Sequence, residues 1–203
     1  MAEQHANKTL EFFFDFGSPN AYFAYVRLPG VLERTGARLV WRPMLLGAVF
    51  KATHNQSPAL IECAPKREYL WQDMQRFVDR YDIDFQRNDA FPINTLPLMR
   101  GAIAYLGTPN FEPYVSAIFH ALWADNRNLG DSHELKSTLT EAGLDIANFE
   151  AQIEDSTTKQ ALNDATAAAV SLGIFGAPSF IVDGELFFGQ DRLDFVERAL
   201  TEG

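Results

Sequence analysis

Apolar residues fall into short strand-like runs near both ends of the chain and into stripes of helical period between them. Leu10–Phe16 is an apolar run broken only by Glu11 and Asp15, and Gly17-Ser18-Pro19 follows it. That is the punctuation of a buried strand giving way to a helix. Pro19 suits the first helical position, where its missing N–H costs nothing, and Ser18 suits the cap before it. The helix carries Tyr22, Phe23 and Val26 on one face, is kinked or restarted by Pro29-Gly30, and is closed by Gly36. Arg38–Arg42 alternates, with Leu39 and Trp41 opposite Val40, and reads as a second strand. From Met44 to about Asp155 no strand pair is legible and helices dominate. Pro65–Tyr81 places Leu70, Met74, Phe77 and Tyr81 in one stripe. Asn94 or Thr95 caps a helix running to Leu106, Asn110–Ala124 is another, Asp131 and Glu134 open a third ending at Gly143, and Ala147–Ile153 is a short fourth. Ser156–Leu172 is Ala-rich and helical, stopped by Gly173. Phe180–Val182 and Glu185–Phe188 flank Asp183-Gly184, a strong hairpin signal, and Asp191 with Asp194 opens a last helix, Arg192–Leu200.

The order β-α-β, helices, α-β-β-α is that of an α/β, thioredoxin-like domain with a large all-helical insertion. Residues 1–43 and 156–203 form the thioredoxin-like part and 44–155 the insertion. The first β-α-β unit predicts a parallel strand pair joined by a right-handed crossover. At 203 residues, 47% hydrophobic and 22% charged, the composition is globular. Twenty-seven acidic against 17 basic residues give a net charge of −10, and no basic stripe exists to release phosphate counterions, so a nucleic-acid partner is excluded. Met1–Lys8 is polar and lacks the features of a secretory signal, and no apolar run reaches membrane-spanning length. A cytoplasmic protein with no membrane partner is expected. The single cysteine, Cys63, excludes an intramolecular disulfide and a Cys-only metal site. With no base or helix N-terminus assignable to it, Cys63 reads as a spectator. His5, His54, His120 and His133 show no metal-binding spacing, so no metal is expected; His120 reads as a packed core residue.

In a thioredoxin-like domain the reactive pair sits after the first strand, where the helix dipole and unpaired N–H groups stabilise a thiolate. Here that place is Gly17-Ser18-Pro19-Asn20-Ala21, with no cysteine. Redox chemistry there is excluded, but an anion pocket survives because its donors are mostly backbone. Ser18 is then either a helix cap alone or also a hydroxyl donor to an anion on the helix end, such as a sulfur supplied by a ligand. No His-Asp partner set marks it as a triad nucleophile. Ala177-Pro178 opens the hairpin: either a trans proline at a strand edge or a cis peptide that leaves the Ala177 backbone free to pair with an extended peptide ligand. Downstream, Asp191 is either a cap or the partner of a ligand ammonium.

Phe14-Asp-Phe-Gly-Ser-Pro19, Phe175-Gly-Ala-Pro-Ser-Phe180 and Phe188-Gly-Gln-Asp-Arg-Leu193 together resemble the 2-hydroxychromene-2-carboxylate isomerases. These are glutathione-dependent relatives of the kappa-class glutathione transferases and of the DsbA-like thiol oxidoreductases. The resemblance runs from about Leu10 to Leu200. It implies that Ser18 lies beside the glutathione sulfur and that the backbone of Ala177, ahead of a cis Pro178, pairs with the cysteinyl part. It also implies that Phe188, Gly189, Gln190 and Asp191 hold the γ-glutamyl end, and that Asn55, in the loop Thr53–Pro58 with His54, is near the substrate. On the insertion, Lys66, Tyr69, Asp73, Arg76 and Arg80 lie within about 80° of one another at about 100° per residue. Their plain reading is a solvated, ion-paired face. The resemblance lifts Lys66, Tyr69, Asp73 and Arg76 to substrate contacts, with Arg76 as the cation for a substrate carboxylate.

The activity so implied is isomerisation of 2-hydroxychromene-2-carboxylate to trans-o-hydroxybenzylidenepyruvate in aromatic hydrocarbon catabolism, by reversible thiolate addition, ring opening and bond rotation. The partners are glutathione and a small aromatic carboxylate, in a homodimer. A kappa-like transferase that consumes glutathione is the alternative, although Asn20 stands where those transferases place an aromatic. A non-catalytic glutathione or peptide binding module is a third reading.

Overall fold

The computed structural model describes residues 8–202; Met1–Asn7, including His5, and Gly203 lie outside them. Strand β1 (Thr9–Phe14) pairs in parallel with β2 (Arg38–Pro43) through helix α1 (Pro19–Thr35), and antiparallel with β3 (Ser179–Val182), which turns back into β4 (Glu185–Phe188). The sheet order is β2-β1-β3-β4, a thioredoxin-like arrangement. Between β2 and β3 run α2 (Leu46–Ala52), a 3-10 turn at Pro58–Leu60, α3 (Ala64–Tyr81), α4 (Leu96–Tyr105), α5 (Phe111–Trp123), α6 (Ser132–Glu141), α7 (Ile146–Glu154) and α8 (Ser156–Ser171). A 3-10 turn at Gln190–Arg192 leads into α9 (Leu193–Thr201). Asp155 ends α7 and caps α8 at one residue, accepting hydrogen bonds from the Thr157 and Thr158 amides.

The period of two in β1 builds two cores. Phe12 and Phe14 face a large cluster with Phe16, Tyr22, Phe23, Phe119, Trp123 and Phe180. Phe13 points the other way, with Met44, Val49, Ala169, Ile174 and Ile181. Within the larger core Phe16 meets the Phe119 ring edge-on at 4.8 Å between centroids, and the Trp123 indole donates to the Phe16 carbonyl at 2.8 Å. The helical segment is therefore fixed to the end of β1, just ahead of Ser18.

Several expectations need correction. Helix α1 runs unbroken through Pro29, because tertiary burial of Tyr22, Phe23, Leu28 and Val31 holds it across the missing N–H; Val26 is exposed. His120 is not a core residue: it is exposed, and its Nδ1 meets the Ser116 carbonyl at 2.8 Å. Helix α2 was invisible to periodicity, being seven residues long. Asp183 and Gly184 adopt φ of 50° and 86°, the left-handed pair that a two-residue hairpin turn requires.

Candidate functional site

A cavity of about 580 Å³ opens where the end of β1, the start of α1 and the start of β3 face helix α3. Ser18 lies in its floor, 5% exposed. Its hydroxyl does two things. It accepts from the Ala21 amide at 3.1 Å, capping α1, and it donates to the Ala177 carbonyl at 2.8 Å, across 159 residues of sequence. The Ala177–Pro178 peptide is cis, so the edge-strand trans alternative does not hold. Ala177 and Pro178 both line the cavity just ahead of β3.

Phe188, Gly189, Gln190 and Asp191 form the adjacent wall. Phe188 packs on Phe175 with ring centroids 4.6 Å apart. Gly176 is glycine for want of room: a Cβ there would sit 2.6 Å from the Phe188 ring. Gly189, at φ 103°, needs the conformational freedom of glycine. Asp191 is not a helix cap; its carboxylate pairs with Arg192 at 2.7 Å. Gln190 is 3% exposed and is held by Arg27 of α1, whose guanidinium donates to both the Gln190 carbonyl at 2.8 Å and its side-chain Oε1 at 2.7 Å. The same guanidinium lies over the Tyr81 ring, 3.7 Å from its centroid.

The opposite wall comes from α3 and the loop before it. Asn55, Lys66 and Asp73 line the cavity, and Asn55 Nδ2 donates to the Phe175 carbonyl at 3.2 Å. His54, Tyr69 and Arg76 do not line it. His54 is exposed at φ 54°. Tyr69 is 52% exposed. Arg76 pairs with Asp73 at 2.9 Å on the outer rim, which is the ion-paired reading of that face. The cations that reach the lining are Lys66 and Arg67, the latter donating to the Ile61 carbonyl at 2.7 Å. The stripe Leu70, Met74 and Phe77, with Trp71 and Phe91, supplies an apolar surface fit for an aromatic ring. Arg67, Trp71 and Phe91 carried no signal as cavity residues. Cys63 stands at the N-cap position of α3 without a side-chain capping bond, a position not assigned from sequence; it is exposed and outside the cavity lining.

Beneath the floor sits Asp15, 1% exposed, which sequence reading passed over. Its carboxylate accepts from the Gly17 and Leu46 amides, each at 2.8 Å, with the Thr95 hydroxyl as a third donor. Burial raises its pKa above the ordinary 3.8, against the lowering effect of those bonds. Asp15 thereby joins the loop before Ser18, the start of α2 and the start of α4. Among the described residues no group of three or more His, Cys, Asp or Glu is placed to hold a metal, and no helix is long and apolar enough to cross a membrane.

The profile described as a DSBA-like thioredoxin domain matches residues 9–201. The chain belongs to the DSBA-like thioredoxin family. Within that family it is 30% identical over 195 residues to the 2-hydroxychromene-2-carboxylate isomerase of Sphingobium xenophagum, covering 96% of this chain and 99% of that protein. It is 23% identical to glutathione S-transferase kappa 1 of Rattus norvegicus, covering 97% and 92% of the two chains. A solved structure of a 2-hydroxychromene-2-carboxylate isomerase superposes with a TM-score of 0.84 at 26% identity, over 95% of this chain and 94% of that one. The family resemblance carried by the Ser18 and Pro178 motifs is borne out, and the comparisons set this DSBA-like chain among enzymes.

Proposed function

We propose that this chain is a glutathione-dependent isomerase that converts 2-hydroxychromene-2-carboxylate to trans-o-hydroxybenzylidenepyruvate in aromatic hydrocarbon catabolism, acting in the cytoplasm as a homodimer. One observation carries the reading: a single cavity joins the Ser18 hydroxyl, at a cysteine-free helix start, to the Ala177 carbonyl and to the Gln190-Asp191 stretch. Those groups fit a thiol-bearing tripeptide with an amino-acid headgroup, and the names of the relatives support the same choice. When bound, glutathione would supply a sulfur nucleophile that adds to the conjugated carbon and is eliminated again after the ring has opened and the freed single bond has rotated, so that the double bond re-forms and the thiol is regenerated.

The protein's part is positioning and charge. The start of α1 presents the Asn20 N–H and a dipole that favour a negative sulfur, the Ser18, Ala21 and Tyr22 amides being bonded within the turn, and Ser18 steadies it by turning its hydroxyl hydrogen from the Ala177 carbonyl toward the cavity. The vacated carbonyl then accepts from the cysteinyl amide. Lys66, on the lining of α3, meets the substrate carboxylate in place of the rim residue Arg76, while Trp71, Met74 and Phe77 pack on the aromatic ring and exclude water. Asn55 closes the loop side through its bond to the Phe175 carbonyl.

The test is turnover of the chromene by purified protein with and without glutathione, with the free thiol assayed throughout. The reading requires acceleration by glutathione at constant thiol. A rate indifferent to glutathione rejects it. Thiol lost in step with substrate means the transferase reading, which the kappa-class relative supports; tight glutathione binding without turnover means a binding module.

A further inference from the structure

Arg27 lies on α1, outside the cavity lining, and among the described residues its hydrogen bonds go to Gln190. A guanidinium carries only donors, so the oxygen it holds at 2.7 Å must be the side-chain carbonyl of Gln190. The orientation of that amide is therefore decided: Oε1 is turned to Arg27, which leaves Nε2, without a hydrogen-bond partner among the described residues, as the free donor of a side chain whose residue lines the cavity. Arg27 is itself pinned, half-buried over the Tyr81 ring at 3.7 Å and bonded to the Gln190 backbone carbonyl, so neither the guanidinium nor the amide is free to turn. Next to this donor stands the Asp191 carboxylate, bonded on one oxygen to Arg192. A fixed N–H2 donor beside an acidic group matches a zwitterion, with the donor for its carboxylate and the acid for its ammonium.

We propose that Arg27 is a positioning residue which, by fixing the Gln190 amide, makes this end of the cavity selective for the free α-amino-acid headgroup of its ligand. The proposal rests on the glutathione reading above and names the part of that ligand which is read. The catalytic sulfur site lies elsewhere in the cavity, so the effect falls on affinity and KM for the thiol and leaves kcat at saturation in place.

Calorimetric affinities for glutathione and for cysteinylglycine, which keeps the thiol but lacks the γ-glutamyl headgroup, test it in the wild type, Arg27→Met and Gln190→Glu. Wild type is expected to favour glutathione, and Arg27→Met to give up about tenfold of that preference through glutathione alone. Gln190→Glu keeps a bond to Arg27 and hence the fold, yet offers the cavity an acceptor in place of a donor; it is expected to lose at least as much, and it decides the matter if Arg27→Met does not fold. Arg27→Lys should recover part of the loss. An undiminished preference in both variants, or a wild type that binds the two thiols equally, overturns the proposal and leaves the glutathione reading standing. A wild type that binds neither thiol overturns both.

Discussion

The Ser18 hydroxyl has one hydrogen, and the structure directs it at the Ala177 carbonyl while the oxygen caps α1. Two consequences separate in Ser18→Ala. The lost cap costs about 1 kcal/mol of stability. A hydroxyl bond to a charged sulfur contributes about 1.5–3 kcal/mol, so kcat/KM is expected to fall by about ten- to a hundredfold, while Ser18→Thr keeps most of it; initial rates with glutathione check both. Ser18 was legible because its tripeptide sits at a strand-to-helix junction. Asp15 was not, because a lone acidic residue in an apolar run does not disclose that two amides 2 and 31 residues away will close on it. Its raised pKa carries a sign. The folded state keeps the Asp15 proton to higher pH than the unfolded chain does, so this residue's contribution to stability is greatest near and below pH 3.8 and declines as pH rises through the folded-state pKa. Urea midpoints against pH should show that decline in wild type and lack it in Asp15→Asn, and identical pH profiles would contradict the assignment.

Among elements, the join between β1 and α5 is the sharpest dependency. The buried indole of Trp123 satisfies the Phe16 carbonyl two residues before Ser18. Trp123→Phe leaves that carbonyl without its donor, and a loss of about 1–3 kcal/mol is expected in equilibrium denaturation, with weaker glutathione binding because the floor of the cavity shifts. The sequence showed α1, α3, α5, α8 and the hairpin, since each has a long stripe or a strong turn signal. It missed α2, whose seven residues span barely two turns, while its plain reading of the Arg76 face as ion-paired matches the Asp73–Arg76 bond. Helical spacing gives a face of about 80° but cannot say which edge of that face looks into the cleft.

At the scale of the molecule, the cavity lies between the sheet end and α3, so a ligand filling it bridges segments far apart in the chain. A ligand bound only by the folded state adds RT ln(1 + [L]/Kd) to stability, about 2.7 kcal/mol at a hundredfold excess over Kd. Thermal unfolding should therefore move upward with glutathione and respond less to cysteinylglycine; a midpoint that ignores glutathione would count against the tripeptide site.

Local chemistry was settled by sequence: the strand-to-helix junction at Ser18, the absence of cysteine there, the proline ahead of β3, and the Asp-Gly turn are all properties of neighbouring residues. Partners brought together from distant positions were settled by folding alone, as with Ser18 and Ala177, Arg27 and Gln190, Asp15 and Leu46, or Lys66 and Arg67 against the apolar wall. Propensity and periodicity act over a few residues, whereas a contact across 159 positions exists only once the sheet and the core have closed around it.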